Sequence, residues 1–296
     1  MDRRSKEIFE RQNMPGLVAA QKTAHNCYSV GKIWSVFLVV TSVAVPVAIN
    51  VVLSLFDIDI LNGCLIFASF LCLIVSEFIR TRIKKWKFYG AGMQQYFDEF
   101  VFGLKNSCKK YIYPQKLSLY ERLKLMKRFD KRNDESFRDW YSDFSALPYE
   151  EAVYQCQKQN IRWEMSAKKT YLVVLIIMSA VIIIGIVINA ILQRMNVWVM
   201  VAILSTLVPV ATFLYNGIKK LHEDVKSRNS LYLHIESIEE KHSPEELWDE
   251  IEELQVEIFD YRKQAYLVPD WFHKLFRHGK QKEEDNYAEN LSKERR

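Results

Sequence analysis

Apolar residues along this chain gather into four long charge-free runs, set out as two close pairs. The first pair covers 33–56 and 60–76, separated only by Asp57, Ile58 and Asp59. The second covers 170–193 and 195–217, separated only by Arg194. A bilayer core about 30 Å thick needs roughly 20 apolar residues of helix to cross it. Three runs exceed that length, and the shorter second run gains length if Glu77 sits among the headgroups. Connections this short reverse the chain, so each pair reads as a helical hairpin across a membrane. Soluble helices seldom run so far without a charge, which disfavours four core helices of a large soluble domain. The predicted fold class is an all-α membrane protein: four transmembrane helices as two hairpins, with helical cytoplasmic middle and C-terminal regions.

The flanking charges set the orientation. Lys32 precedes the first span, and Arg80, Arg82, Lys84, Lys85 and Lys87 follow the second. Arg162, Lys168 and Lys169 precede the third, and Lys219 and Lys220 follow the fourth. Lys and Arg stay on the cytoplasmic side. Both termini and the long middle segment are therefore expected in the cytoplasm, with only two short tips outside. The organisation that follows is a cytoplasmic N-terminal helix over 1–32, a transmembrane hairpin over 33–79 and a cytoplasmic helical region over 80–169. A second hairpin over 170–217, a cytoplasmic helical hairpin or coiled coil over 218–280 and a charged tail over 281–296 complete it. The first residues are dense in charge and lack the apolar core of a signal peptide.

The cytoplasmic parts read as helical. Asn13 is placed to cap a helix that carries Pro15 in its first turn. The segment 88–104 has apolar residues at helical spacing (Met93, Phe97, Phe100, Val101, Leu104), continuing the second span. A break is expected at Pro114, a basic amphipathic helix over 117–129, a polar loop over 131–135 and a turn at Ala146, Leu147 and Pro148. From Tyr149 through Trp163 a helix leads into the third span. Ser243, Pro244, Glu245 and Glu246 form a capping box with proline at the first helical position. Leu247, Ile251, Leu254, Ile258 and Tyr261 then recur at heptad spacing. A similar register runs through Leu214, Ile218, Leu221, Val225, Tyr232 and Ile235 across the end of the fourth span, interrupted by Arg228. Two readings fit this seam: an antiparallel hairpin within one chain, or a coiled coil between subunits. The tail beyond Lys280 reads as charged and frayed.

Charge and candidate chemistry narrow the function. The balance of Lys and Arg over Asp and Glu is zero over 1–78, +9 over 79–169 and −5 over 195–296. Seven of the middle segment's basic residues are membrane flanks, so most of that excess is topology and headgroup contact. The five cysteines show no Cys-x-x-Cys pairing, and reduced thiols are expected. The six histidines lack metal spacing, and no phosphate loop, His-Glu-x-x-His or nucleophile elbow is present. Neither an enzyme nor a bound cofactor or metal is expected. The span centres hold no ionisable group, which disfavours an ion-coupled carrier. Their polar residues, Thr41, Ser42 and Ser179 among them, read as glue between helices. Pro46 and Pro209 are expected to kink the first and fourth spans. Four helices are too few for a wide pore, so pore formation requires a homo-oligomer.

Several sequence pieces keep a fixed order around the four spans. Arg11-Gln12-Asn13, Ala19-Ala20-Gln21 and Tyr28 precede the first. The stretch MQQYFDEFVF at 93–102 follows the second. Asp139-Trp140-Tyr141, Leu147-Pro148, Cys156-Gln157, Asn160 and Trp163-Glu164 precede the third, and Val268-Pro269-Asp270-Trp271-Phe272 lies near the end. Together they resemble the SMODS-associated four-transmembrane effector family of cyclic-oligonucleotide-based anti-phage signalling systems (CBASS), over residues 11 to about 290. The resemblance implies an effector in the bacterial inner membrane. A partner nucleotidyltransferase makes a cyclic di- or trinucleotide, the effector binds it in the cytoplasm, and its helices rearrange or cluster to permeabilise the lipid bilayer. Growth then stops before phage mature. No nucleic acid partner is expected. Two other classes fit the residues: a non-gated membrane scaffold that recruits a soluble partner, and a small ion channel, although no filter-like motif is present.

A cyclic nucleotide needs aromatic faces for its bases and charge-assisted donors for its phosphates. The segment 138–163 offers Arg138, Trp140, Tyr141, Gln155, Gln157, Asn160, Arg162 and Trp163 as ligand-binding candidates. Gln155 and Arg162 share a helical face. The topology carries its own test. On a cysteine-free background, a cysteine replacing Ile58 is expected to react with an impermeant thiol reagent from outside, and one replacing Lys105 is not. The opposite labelling would reverse the orientation.

Overall fold

A computed structural model describes residues 3–45, 48, 59–104, 116–130, 135–192, 197–238, 243–269, 272, 282–291 and 293. Every regular element among them is helical. The elements are α1 (Arg3–Arg11), α2 (Pro15–Val39), α3 (Asp59–Val101), α4 (Leu119–Arg128), α5 (Tyr149–Leu192), α6 (Val197–Ile238) and α7 (Pro244–Gln264). A π-helical segment, Val40–Ala44, prolongs α2, a single 3₁₀ turn spans Glu135–Phe137, and residues 282–291 form a last helix, α8.

The chain has two chemically distinct parts. In one, apolar side chains are buried. Met93, Phe97, Val101 and Phe102 near the end of α3 pack with Phe144, Val153, Ile235, Ile251 and Leu254, all at zero exposure. Burying one such side chain contributes about 1.5–3 kcal/mol. In the other part, apolar side chains face outward. On α2, Ile33, Val36 and Phe37 are exposed, and on α5 Val173, Ile177, Val181 and Ile184 are too, Val36 at 63% and Val181 at 64%. Outward apolar faces at helical spacing suit lipid, not water. The helix Pro15–Ala44 is long and apolar enough to cross a membrane, and only 17% of its apolar window is buried. A core helix of a soluble protein would be mostly covered. The tips at Asp57, Ile58 and Arg194 lie outside the described residues, as do Pro46, Pro114, the stretch 131–134, Asp270 and Trp271. Side chains over 59–70 and 197–209, including Pro209, are likewise outside them.

Helix α3 is the spine. It packs along α2 on one side and along α7 on the other, while α5 packs on α6. Within the apolar part, Thr41 Oγ1 and Ser42 Oγ lie 3.0 and 3.1 Å from Ser76 Oγ. Ser179 donates back to the Leu175 carbonyl at 2.7 Å. The π segment just precedes Pro46, whose ring nitrogen can donate nothing to the carbonyl of Ser42. α3 ends at Gly103, where φ is +61° and Leu104 N donates to Glu99 O at 3.0 Å. Tyr149 Oη seals the turn by donating to Phe102 O at 2.6 Å, and a methyl at Gly103 would come within 2.9 Å of the Tyr149 hydroxyl oxygen.

Four expectations change. Asn13 does not cap α2: Met14 is the N-cap and makes no side-chain cap bond. Asn13 instead exchanges hydrogen bonds with Asp139, donating to Oδ1 at 2.8 Å and accepting from its N–H at 3.0 Å, which holds Asp139 at φ +47°. The heptad seam of α7 is buried within the chain chiefly on α3 and also on α5 and α6, where a simple hairpin would have placed it on α6 alone. Arg228 does not interrupt α6 but lies in the core, donating to Tyr261 Oη at 2.8 Å and Ile161 O at 2.9 Å. Residues 282–291 are not frayed: Glu284 and Ala288 are buried on one face of α8. The capping box at Ser243 is present with both reciprocal bonds, and a second one, Ser118 with Glu121, starts α4.

Candidate functional site

The most concentrated polar chemistry lies where α3, α5 and α7 meet. Asp98 is at zero exposure on α3, among the buried apolar side chains Met93, Phe97 and Val101 and the buried amide of Gln95. A buried carboxylate is tolerated only if paired and hydrogen-bonded. Arg262 Nη1 on α7 donates to its Oδ2 at 2.6 Å, and Gln255 Nε2 donates to the same oxygen at 3.1 Å. Tyr141 Oη donates to Oδ1 at 2.5 Å. Asn160 on α5 in turn donates to Tyr141 Oη at 2.7 Å. Gln157, also on α5, donates to Gln255 Oε1 at 2.9 Å and to the Ile251 carbonyl at 3.1 Å. The second proton of the Gln255 amide goes to Gln95 Oε1 at 2.9 Å. Gln12 pairs with both backbone polar groups of Tyr141, tying in the segment after α1. Burial and Asp98 push the Tyr141 phenol well above its ordinary range. Burial opposes the Arg262 cation, but Asp98 wins and holds its pKa up.

A second buried cluster sits at the border with the apolar part. Lys168 Nζ lies 2.8 Å from Asp224 Oδ2 and donates to Tyr261 Oη at 2.7 Å. Arg228 stacks 4.4 Å from the centre of the same ring. Lys87 on α3 is buried and donates to the Gln264 carbonyl at 2.8 Å. Burial, then Lys220, push its pKa down to about 7, with Asp224 opposing. Residues of α3, α5, α6 and α7 are thus locked together just where α3 and α5 turn apolar.

Beside the Asp98 network is a cleft of about 350 Å³ between α3, Lys116, Leu117, α4 and α7. Its walls carry the rings of Tyr96, Phe100 and Phe259 and the cations Lys116 and Arg122. The Arg122 guanidinium lies 4.2 Å from the centre of the Tyr96 ring. Lys116 Nζ is 3.0 Å from Glu99 Oε1, to which Gln95 also donates at 2.9 Å. Gly92 forms part of the lining because a methyl there would lie 2.7 Å from Leu117. Gln95 belongs to both cleft and network.

The structure distributes the eight candidates from the sequence over several settings. It brings Tyr141, Gln157 and Asn160 into the Asp98 network. Arg138 is exposed and Trp140 packs half-buried against the core. Arg162 is held by Glu284 of α8, Nε to Oε1 at 3.1 Å and Nη2 to Oε2 at 2.6 Å, and lies 4.3 Å from the centre of the Tyr287 ring. Gln155 is buried and accepts from Tyr287 Oη at 3.4 Å. The Trp163 side chain lies outside the described residues. Sequence reasoning passed over Asp98, Gln255 and Arg262. A pointer existed: Asp98 interrupts an apolar helical face, and Gln255 and Arg262 lie seven apart beside the α7 seam. The buried thiols Cys27 and Cys156 are both raised by burial, Cys27 to about 12, which leaves neither suited to act as a nucleophile.

The family model for the SMODS-associating 4TM effector domain matches residues 6–291. The chain belongs to that family. It is a membrane effector associated with cyclic-oligonucleotide defence systems built on SMODS-type nucleotidyltransferases. No curated protein and no solved structure matches it.

The buried lysine gives this effector a pH signature. Unfolded, Lys87 keeps its proton up to about pH 10.4, whereas folded it releases it near 7. Between those values the unfolded chain binds more protons, so stability rises with pH. In thermal unfolding of detergent-solubilised protein, the parent is expected to gain stability relative to Lys87→Met between pH 7 and pH 9. An equal or falling difference would mean that Lys87 stays charged.

Proposed function

We propose that this effector is a ligand-gated, non-catalytic permeabiliser of the bacterial inner membrane, switched on by a cyclic di- or trinucleotide. Its four helices cross as two hairpins, with both termini and the helical body in the cytoplasm. The supporting observation is continuity. α3 (43 residues) and α5 (44 residues) each run as one helix from the buried polar network into the apolar part. A shift of Asp98, Gln157 or Asn160 moves a rigid rod whose other end faces lipid.

A ligand drives such a switch only by its differential affinity for the two states. Moving a population from 1:99 to 99:1 takes about 10⁴-fold preference. A polar network with discrete partners supplies two distinguishable packings more readily than a uniform apolar core. Pore formation then requires several copies. The outward apolar face of α4, with Leu119 at 63%, Tyr120 at 73% and Leu123 at 56% exposure, is compatible with contacts between them.

Purified protein in proteoliposomes loaded with a self-quenched dye tests the reading. Cyclic di- and trinucleotides added to the cytoplasmic face are expected to release dye, and the matching linear dinucleotides are not. Binding without release would favour a scaffold, and release without any nucleotide a constitutive channel.

A further inference from the structure

We infer that the cleft between α3, α4 and α7 is where the activating nucleotide is read, one nucleotide unit at a time. This assignment rests on the effector reading above. Ligand pockets usually span about 300–1,000 Å³. At about 350 Å³ the cleft suits a single nucleotide better than a whole cyclic ligand. The remaining units would lie across its mouth.

The lining matches the parts of a nucleotide. Tyr96, Phe100 and Phe259 offer aromatic faces, on which any base can stack. Arg122 presents a planar fork that fits phosphate oxygens in pairs. Its Nε is shielded from solvent and makes no hydrogen bond among the described residues. A buried donor without an acceptor is costly, and a phosphate oxygen relieves that cost. Lys116 adds a second cation beside it, so the two outweigh Glu99 by one charge. The Glu99 carboxylate and the Gln95 amide can read a base edge. Uracil offers a carboxylate only N3–H, flanked by two repelling carbonyl oxygens, so the carboxylate favours bases with an exocyclic amino group (adenine, guanine, cytosine).

The cleft also has a route to the membrane. Gln95 lines it and accepts from Gln255, which donates to Asp98 and accepts from Gln157 of α5. A ligand that reorients Gln95 breaks into the network that holds α3 to α5 and α7. None of the eight candidates from the sequence lines this cleft.

The test uses the full chain in lipid nanodiscs and calorimetric titration with four probes: cyclic di-AMP, cyclic GMP-AMP, cyclic di-UMP and cyclic tri-AMP. The parent is expected to bind at least one amino-bearing ligand and to bind cyclic di-UMP more weakly. Arg122→Ala and Tyr96→Leu are expected to weaken binding by about ten-fold or more, equivalent to about 1.4 kcal/mol. Tyr96→Phe keeps the ring and is expected to bind within about two-fold of the parent. Lys226→Ala, exposed on α6, serves as the surface control. If Arg122→Ala fails to give a parent-like unfolding transition, Arg122→Gln and Lys116→Gln take its place. A parent that binds and releases dye while folded cleft variants bind equally well would overturn the cleft and leave the effector reading standing. A parent that binds none of the probes would overturn both.

Discussion

The buried carboxylate of Asp98 is the constraint on which the buried helical body depends. Charge in an apolar interior is sustained only by partners that fill its lone pairs. Asp98 finds them on two separate segments: Tyr141 after the 3₁₀ turn, and Gln255 and Arg262 on α7. Through Tyr141 and Gln255 it also reaches Asn160 and Gln157 on α5. Breaking a buried pair by removing one partner typically costs about 3–5 kcal/mol. Replacing both by apolar residues can be neutral, so net stability alone does not account for the network. What it adds is register: Gln157 with Gln255, and Asp98 with Gln255 and Arg262, pair only while α3, α5 and α7 hold these partners within hydrogen-bond distance.

That register is then carried to the membrane. The second buried cluster, Lys168 with Asp224, Tyr261 and Arg228, ties α5, α6 and α7 together just before the outward apolar face of α5 begins at Val173. Beyond it, cohesion comes from hydroxyls such as Thr41, Ser42 and Ser76 and from close packing, since lipid removes the hydrophobic drive between helices. Polar interactions therefore fix the buried helical body, and the apolar ends of α3 and α5 continue the same helices. This continuity is what the proposed effector mechanism relies on.

The all-helical, membrane-family character of the chain was legible because it rests on cumulative local features. Missing charge over some twenty residues and the capping box at Ser243 can each be read without knowing what lies opposite. The α7 seam was equally visible, but spacing identifies a face and not its cover, and its cover proved to be α3, over 150 residues earlier in the chain. The Asp98 network was hidden for the same reason: a lone acid on one helix and a glutamine and an arginine on another look like ordinary solvated residues. Tyr141, Gln157 and Asn160 were singled out for their chemistry, but their partners could not be. The charge of 282–291 suggested a loose tail, yet Glu284 answers Arg162, and Ala288 and Leu291 share its helical face. Asn13 was read from local rules as a cap, and a long-range partner, Asp139, claimed it.

Hydrogen–deuterium exchange on the full chain in nanodiscs, comparing the parent with Asp98→Asn, tests most directly whether the network holds the helices as one unit. Amides open in cooperative groups whose protection reflects the contacts that hold them. The account predicts faster exchange in α7, in residues near 93–101 of α3 and in 149–168 of α5 together, reaching the Lys168 cluster. Faster exchange confined to the immediate neighbours of residue 98, with α5 and α7 as protected as in the parent, would contradict it.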